Sequence, residues 1–279
     1  MKQAYVLPNI ITAFGLSCGL FVVFKVNLKA PGIGVYELLL SSTILILIAA
    51  LADVLDGAIA RVVKGESDFG IIFDSLADTV SFGVAPSVLL LKSLALEQGT
   101  WLSFFAFIAA MIYSICGILR LVRFNVKAAQ NKGDELAAKA QKRSFTGLPI
   151  PGGAVCAISL NLFLNSPIMA EWIPNFNPLI KTIILCVGTL LVGLMMISRC
   201  RFFSLKALRF RGDSFYLLFA TVIIAIFVLY GIIHRFSLVL FAISWGYLLL
   251  GCVLTLIKIT TGKKSKTLRD FDPNSDEFE

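Results

Sequence analysis

The sequence predicts an all-α protein, a polytopic membrane bundle of about eight transmembrane helices with both termini cytoplasmic. Three observations predict it. Of 279 residues, 58% are apolar and only 15% charged, and a soluble domain with that balance would aggregate. Apolar runs of about 20 residues, enough helix to cross a hydrocarbon core, recur about eight times. Basic residues crowd into alternate connecting segments and are sparse in the others.

The runs centre near Gly15, Ile46, Val80, Ala109, Ala157, Leu190, Ile224 and Tyr247. They read as helices because only helices and closed barrels satisfy the backbone in lipid, and the ten-residue alternation of barrel strands is missing. The first run is full length without a basic lead-in, which marks a retained helix rather than a cleaved signal. Its Gly15 and Gly19 form a GxxxG spacing, a surface for close helix packing. A polar segment rich in aspartate joins the second and third runs. Between the fourth and fifth, Lys127 to Arg143 reads as a cytoplasmic loop, and the Gly and Pro residues of Phe145 to Ala154 bend the chain. The last helices carry no readable motif. The expected organisation is a membrane domain over 1–260, with its signature at 53–78, and a cytoplasmic polar tail over 261–279 that is basic, then acidic.

Orientation follows from the cations. The amino terminus, the segments after helices two, four and six, and the tail hold Arg61, Arg120, Arg123, Lys139, Lys206 and Lys266 among many others. The opposite side keeps Lys25, Lys29, Lys92, Lys181 and Arg235. The positive-inside rule makes the richer side cytoplasmic, so the span count is even. The net charge of +8 is matched to anionic membrane lipids rather than nucleic acid, since no basic domain exists to follow a phosphate backbone. The six cysteines lack CxxC or metal-ligand spacing and read as packed thiols.

Four carboxylates, Asp53, Asp56, Asp74 and Asp78, stand at the junction of the second and third helices. One carboxylate at the bilayer centre costs roughly 2.5–3.5 kcal/mol even on the lenient insertion scale, so four together demand a cation. Asp53 and Asp56 are spaced i,i+3 and Asp74 and Asp78 i,i+4, which puts each pair on one helix face. Gly70 shares the face of Asp74, and Gly57 and Ala60 leave space beside the first pair. Hard oxygen donors in this number suit Mg²⁺ or Mn²⁺, and paired ions of this kind flank a diphosphate. Zinc would want histidine or thiolate, and the sole histidine, His234, falls on the opposite side.

The pattern Asp53-x2-Asp56-Gly57-x2-Ala60-Arg61-x8-Gly70-x3-Asp74-x3-Asp78 resembles the signature of the CDP-alcohol phosphatidyltransferase family, with all eight defining positions present. The resemblance implies a membrane helical bundle, usually a homodimer, in which two divalent cations, Mg²⁺ or Mn²⁺, are held against the diphosphate of CDP-diacylglycerol. It assigns Asp53 and Asp74 to both ions, Asp56 to one, and Asp78 to the second ion and to the role of catalytic base. Gly57, Arg61 and Ser67 would contact the CDP-lipid, with Gly70 beside them; Ser67 stands where relatives often carry threonine. Three further stretches are similar to serine-using bacterial and archaeal members: Leu7 to Thr12; Asp74 to Asp78 continuing through Ser81 to Pro86; and Leu119 to Asn125 followed by Phe145 to Pro149. They extend the CDP-lipid site to Pro8, Asn9, Ile10, Ile11 and Thr12, and imply L-serine as acceptor, giving phosphatidylserine and CMP.

The residues themselves are compatible with this reading. Asn9 and Thr12 are i,i+3 at the cytoplasmic end of the first helix, where an amide and a hydroxyl can meet ribose or base. Arg120 and Arg123 share a face at the cytoplasmic end of the fourth, suited to the carboxylate of serine. Plainer roles stand beside these: membrane anchors for the arginines and helix-start residues for Asn9 and Thr12. The same core with another acceptor, as in phosphatidylglycerophosphate synthases, is one alternative function. A divalent-cation carrier is the other, although a carrier would place acids deep in several helices.

Overall fold

The computed structural model describes residues 6–28, 34–63, 67–94, 96, 99–130, 145–198, 201–202, 231 and 234–255. Helices occupy seven of the eight expected positions; the run around Ile224 lies outside the described residues, as does the tail. Helix α1 spans Val6–Asn27 and α2 Val35–Val63. Helix α3, Asp68–Asp78, continues through a π turn at Thr79–Val84 into α4, Ala85–Leu94. Helix α5 covers Trp101–Gln130, α6 Ile150–Leu164, α7 Pro167–Trp172, α8 Pro178–Ile197 and α9 His234–Thr255. Among the described residues, six helices are long and apolar enough to cross a membrane, with α3 and α4 acting as one span. The protein is multi-pass.

The fifth expected span is shorter than a crossing. Pro149 and Pro151 open α6 and Asn165 closes it, leaving 15 residues, about 22 Å of helix. Residues Ile158, Ser159, Asn161 and Leu162 of α6 are buried, so it is enclosed by protein on several sides. The Ser166 hydroxyl then caps α7 through the Met169 amide. A two-residue antiparallel bridge pairs Phe145 with Phe202 and Thr146 with Arg201, a detail of the connections that leaves the all-α class intact.

Val22, Ile46, Phe82, Leu89, Tyr113, Leu148, Ile158 and Val192 form the centre of the core. Large apolar side chains such as Phe21, Phe24, Phe104, Phe107 and Leu250 face outward, as a lipid-facing surface requires. Lipid is as apolar as this core, so close packing at small residues takes over from hydrophobic burial. Gly15 and Gly19 show how. A methyl at Gly15 would sit 3.4 Å from Ala52 Cβ in α2, and one at Gly19 would overlap Ser81 in the π turn. The GxxxG spacing therefore serves packing within one chain. Cys18, Cys116 and Cys156 are buried thiols, and Cys186 and Cys252 half-buried ones; Cys200 lies outside the described residues.

Candidate active site

The acidic cleft forms where α1, α2 and α3 meet. Helix α2 stays helical to Val63 and presents Asp53 and Asp56 on one side. Helix α3 starts at a defined point because the Ser67 hydroxyl accepts a hydrogen bond from the Gly70 amide at 3.0 Å, an N-cap that fixes where Asp74 and Asp78 emerge. The two faces converge: carboxylate oxygens of Asp53, Asp56 and Asp74 lie within 4.8 Å of one another. Asp78 lines the same cleft with Thr12, Gly15, Ala49, Ala77, Ser81 and Phe82.

Asp56 is only 5% exposed, and the Thr12 hydroxyl donates to its Oδ2 at 2.6 Å. The Pro8 carbonyl, 3.1 Å from the same hydroxyl, is the other acceptor within reach. Arg120 of α5 is the cation whose charge acts on Asp78 and Asp53. Its buried Nε has no hydrogen-bond partner among the described residues. Among the described residues, the Arg120 guanidinium offsets only part of the charge of four carboxylates, which leaves an excess of negative charge in a half-buried site.

The donor set fits a hard divalent cation. Every nearby anionic ligand is a carboxylate oxygen, and the 4.8 Å spread is slightly wider than the roughly 4.2 Å across an octahedral Mg²⁺ shell with bonds of about 2.1 Å. Small side-chain rotations close that difference. Asp53, Asp56 and Asp74 could together hold such an ion, and Asp78 lines the same cleft.

Other expected contacts gather at the same mouth. A methyl on Gly70 would lie 3.1 Å from both Asn9 Oδ1 and Ser67 Oγ, so Asn9, Ser67 and Gly70 meet where α1 crosses the start of α3. Pro8 is buried, Ile11 and Gly57 are half-buried, and Ile10 is on the outer surface of α1, 58% exposed. Arg61 belongs to the last turns of α2, and its side chain falls outside the described part of the structure. Arg123 donates from Nη1 to the Ile197 carbonyl at 3.2 Å, holding the end of α8. Asn125 Nδ2 donates to Ser75 Oγ at 2.8 Å and braces α3 from α5.

Ser81 and Phe82 line the cleft as well, beyond the residues that the aspartate signature singles out. Their signal was available, since Ser81 follows Asp78 by three residues and so returns to nearly the same face, but a polar residue in an apolar run has many plainer roles.

Comparison with known proteins bears on this geometry. Residues 5–194 match the CDP-alcohol phosphatidyltransferase family. A Bacillus subtilis protein named CDP-diacylglycerol–serine O-phosphatidyltransferase is 31% identical over 196 residues, covering 70% of this chain and 89% of the relative. A Methanocaldococcus jannaschii protein of the same name is 35% identical over 169 residues, 61% of this chain and 67% of its own. A Helicobacter pylori protein, also of that name, is 28% identical over 247 residues, 84% of this chain and 92% of its own.

Proposed function

The chain belongs to the CDP-alcohol phosphatidyltransferase family, and from that premise we propose that it transfers the phosphatidyl group of CDP-diacylglycerol to the hydroxyl of L-serine, giving phosphatidylserine and CMP. The observation that carries the reading is the convergence of Asp53, Asp56 and Asp74 on a cleft completed by Asp78. The names of three relatives, all serine-using, support the acceptor.

The serine oxygen attacks the lipid-side phosphorus, a new P–O bond forms, and the bond to the bridging oxygen breaks so that its electron pair leaves with CMP. Asp78 accepts the hydroxyl proton on its carboxylate. Two divalent cations, Mg²⁺ or Mn²⁺, held by Asp53, Asp56, Asp74 and Asp78, would neutralise the diphosphate and the charge that develops on CMP. Thr12 orients Asp56. Asn9, Ser67 and Gly70, with Pro8, Ile10, Ile11, Gly57 and Arg61, form the entrance for the CDP-lipid, where glycines let a bulky ligand approach the backbone. Catalysis of this kind is mainly positioning and electrostatics.

Serine is favoured by charge as well. It brings one carboxylate and one ammonium, which suits a site with the two cations Arg120 and Arg123, whereas glycerol 3-phosphate brings nearly two negative charges and needs a denser basic pocket. The site faces the cytoplasm of a cell membrane, because the segments next to it carry the basic excess. Residues 1–260 form the membrane domain and 261–279 a polar tail, and the protein works as a homodimer, as the resemblance implies.

Purified protein incubated with CDP-diacylglycerol, Mn²⁺ or Mg²⁺ and a panel of alcohols tests the function. CMP release is expected to be metal-dependent and fastest with L-serine. Faster release with glycerol 3-phosphate or inositol changes the acceptor and leaves the chemistry; metal binding with no CMP release for any alcohol points to a cation carrier.

A further inference from the structure

The helix that carries Asp74 and Asp78 does not remain an α-helix beyond them. It widens at Thr79–Val84 into a π turn, in which the Ala85 amide reaches back five residues to the Val80 carbonyl. The sequence cause is Pro86. A proline inside a helix has no N–H to donate, and its ring collides with the carbonyl four residues earlier, here that of Phe82. The wider turn relieves the collision but leaves the Phe82 carbonyl without the donor that residue 86 would supply in a regular helix.

That carbonyl is buried, where an unmade hydrogen bond is costly. Helix α5 supplies the missing donor: the Tyr113 hydroxyl donates to the Phe82 carbonyl at 2.9 Å. The next carbonyl, Gly83, accepts from the Ser114 hydroxyl at 2.9 Å. Tyr113 is 0% exposed, and Gly193 of α8 makes room for it, since a methyl there would come 3.0 Å from the Tyr113 Cα. On the side toward the cleft, the Ser81 hydroxyl donates to the Gly15 carbonyl at 3.3 Å. The π turn is thus held from both flanks.

We propose that Tyr113 is a positioning residue: its hydroxyl holds the Phe82 carbonyl, maintains the π turn and thereby sets the phase at which Asp78 enters the acidic cleft. A helix advances about 100° per residue, so losing the extra residue of the turn would rotate Asp74 and Asp78 by about that angle relative to the buried face of α4. The inference rests on the phosphatidyl-transfer reading, because it is turnover that the misplaced aspartates lose.

The test combines two substitutions and two readouts on the full-length protein in detergent or lipid. Tyr113→Phe keeps the ring and removes only the hydroxyl; it is expected to lower kcat about tenfold, the size of one lost hydrogen bond, with KM for L-serine and for CDP-diacylglycerol within about twofold, and to lower the thermal midpoint. Adding Pro86→Ala returns a backbone donor to the Phe82 carbonyl and lets the turn relax to α. The double variant is therefore expected to regain thermal stability while kcat stays low. Recovery of kcat together with stability overturns the proposal, since Tyr113 would then only satisfy a carbonyl. An unchanged kcat in Tyr113→Phe overturns it as well. Should Tyr113→Phe not fold by itself, the double variant with Pro86→Ala decides the matter, with a low kcat at unchanged KM in the folded protein supporting the proposal and a wild-type kcat sinking it. A wild-type protein that releases no CMP removes the transfer reading and the proposal with it; an active wild type beside an equally active variant removes only the role of Tyr113.

Discussion

The Thr12 hydroxyl donates to the Asp56 carboxylate across 2.6 Å, tying the first helix to the second at the floor of the acidic cleft. This bond makes α1 a part of the site. Hydrogen bonds to charged groups contribute roughly 1.5–3 kcal/mol, so Thr12→Val is expected to lower kcat/KM by about ten- to a hundredfold, with Thr12→Ser retaining most of the activity. Steady-state CMP release checks this, and equal losses in the two variants would point to the methyl and its packing instead.

Asp→Asn at 53, 56, 74 or 78 is expected to abolish transfer while the protein still inserts and stays monodisperse. Each change removes a ligand or the base, yet it also removes negative charge from a crowded half-buried site. The metal-free variants are therefore predicted to melt no lower than the wild type, and Mn²⁺ to raise their midpoints less. Near-normal turnover in any two of the four would sink the assignment.

Gly19 faces the Ser81 backbone closely enough that a methyl would be 2.7 Å from its Cα. Backbone cannot move aside cheaply, and overpacking of this kind costs roughly 1–3 kcal/mol. Gly19→Ala is predicted to destabilise the bundle and to lower turnover with it, because Ser81 lies three residues after Asp78 and lines the same cleft. Gly34, with nothing within 4 Å of an added Cβ, is the control: Gly34→Ala is expected to leave the thermal midpoint unchanged.

Arg123 already donates to the Ile197 carbonyl, and a guanidinium has donors left for a ligand. Replacing it by Ala is expected to raise the KM for L-serine about tenfold or more, the cost of one charge-assisted hydrogen bond, with a much smaller effect on CDP-diacylglycerol. If both requirements rise equally, Arg123 acts only by holding α8.

Orientation is checked by accessibility labelling of single cysteines in a cysteine-free background. Positions 139, 206 and 266 are expected to label from the cytoplasmic side and positions 29 and 235 from the other; of these, 235 lies within the described residues and the rest outside them. Labelling of 139 and 29 from one side would overturn both the even span count and the cytoplasmic site.

The membrane class, most helix positions and the four aspartates were legible in the amino-acid sequence, because they depend on local quantities. An apolar run is long enough or it is not, and i,i+3 or i,i+4 spacing puts two carboxylates on one face wherever the helix ends up. Which helix supplies the partner is a different matter, since it depends on how the helices pack. No spacing foretells that Thr12 meets Asp56, 44 residues on, that the charge of Arg120 acts on Asp78 and Asp53, or that Arg123 reaches the end of α8. The fifth apolar run shows the same limit, as its composition is that of a span, whereas prolines at its start and Asn165 at its end make a short enclosed helix. The third apolar run reads as one unbroken span, and the packing of α5 decided otherwise: a wide turn persists before Pro86 because Tyr113, 31 residues from Phe82, arrives with the donor that the proline lacks.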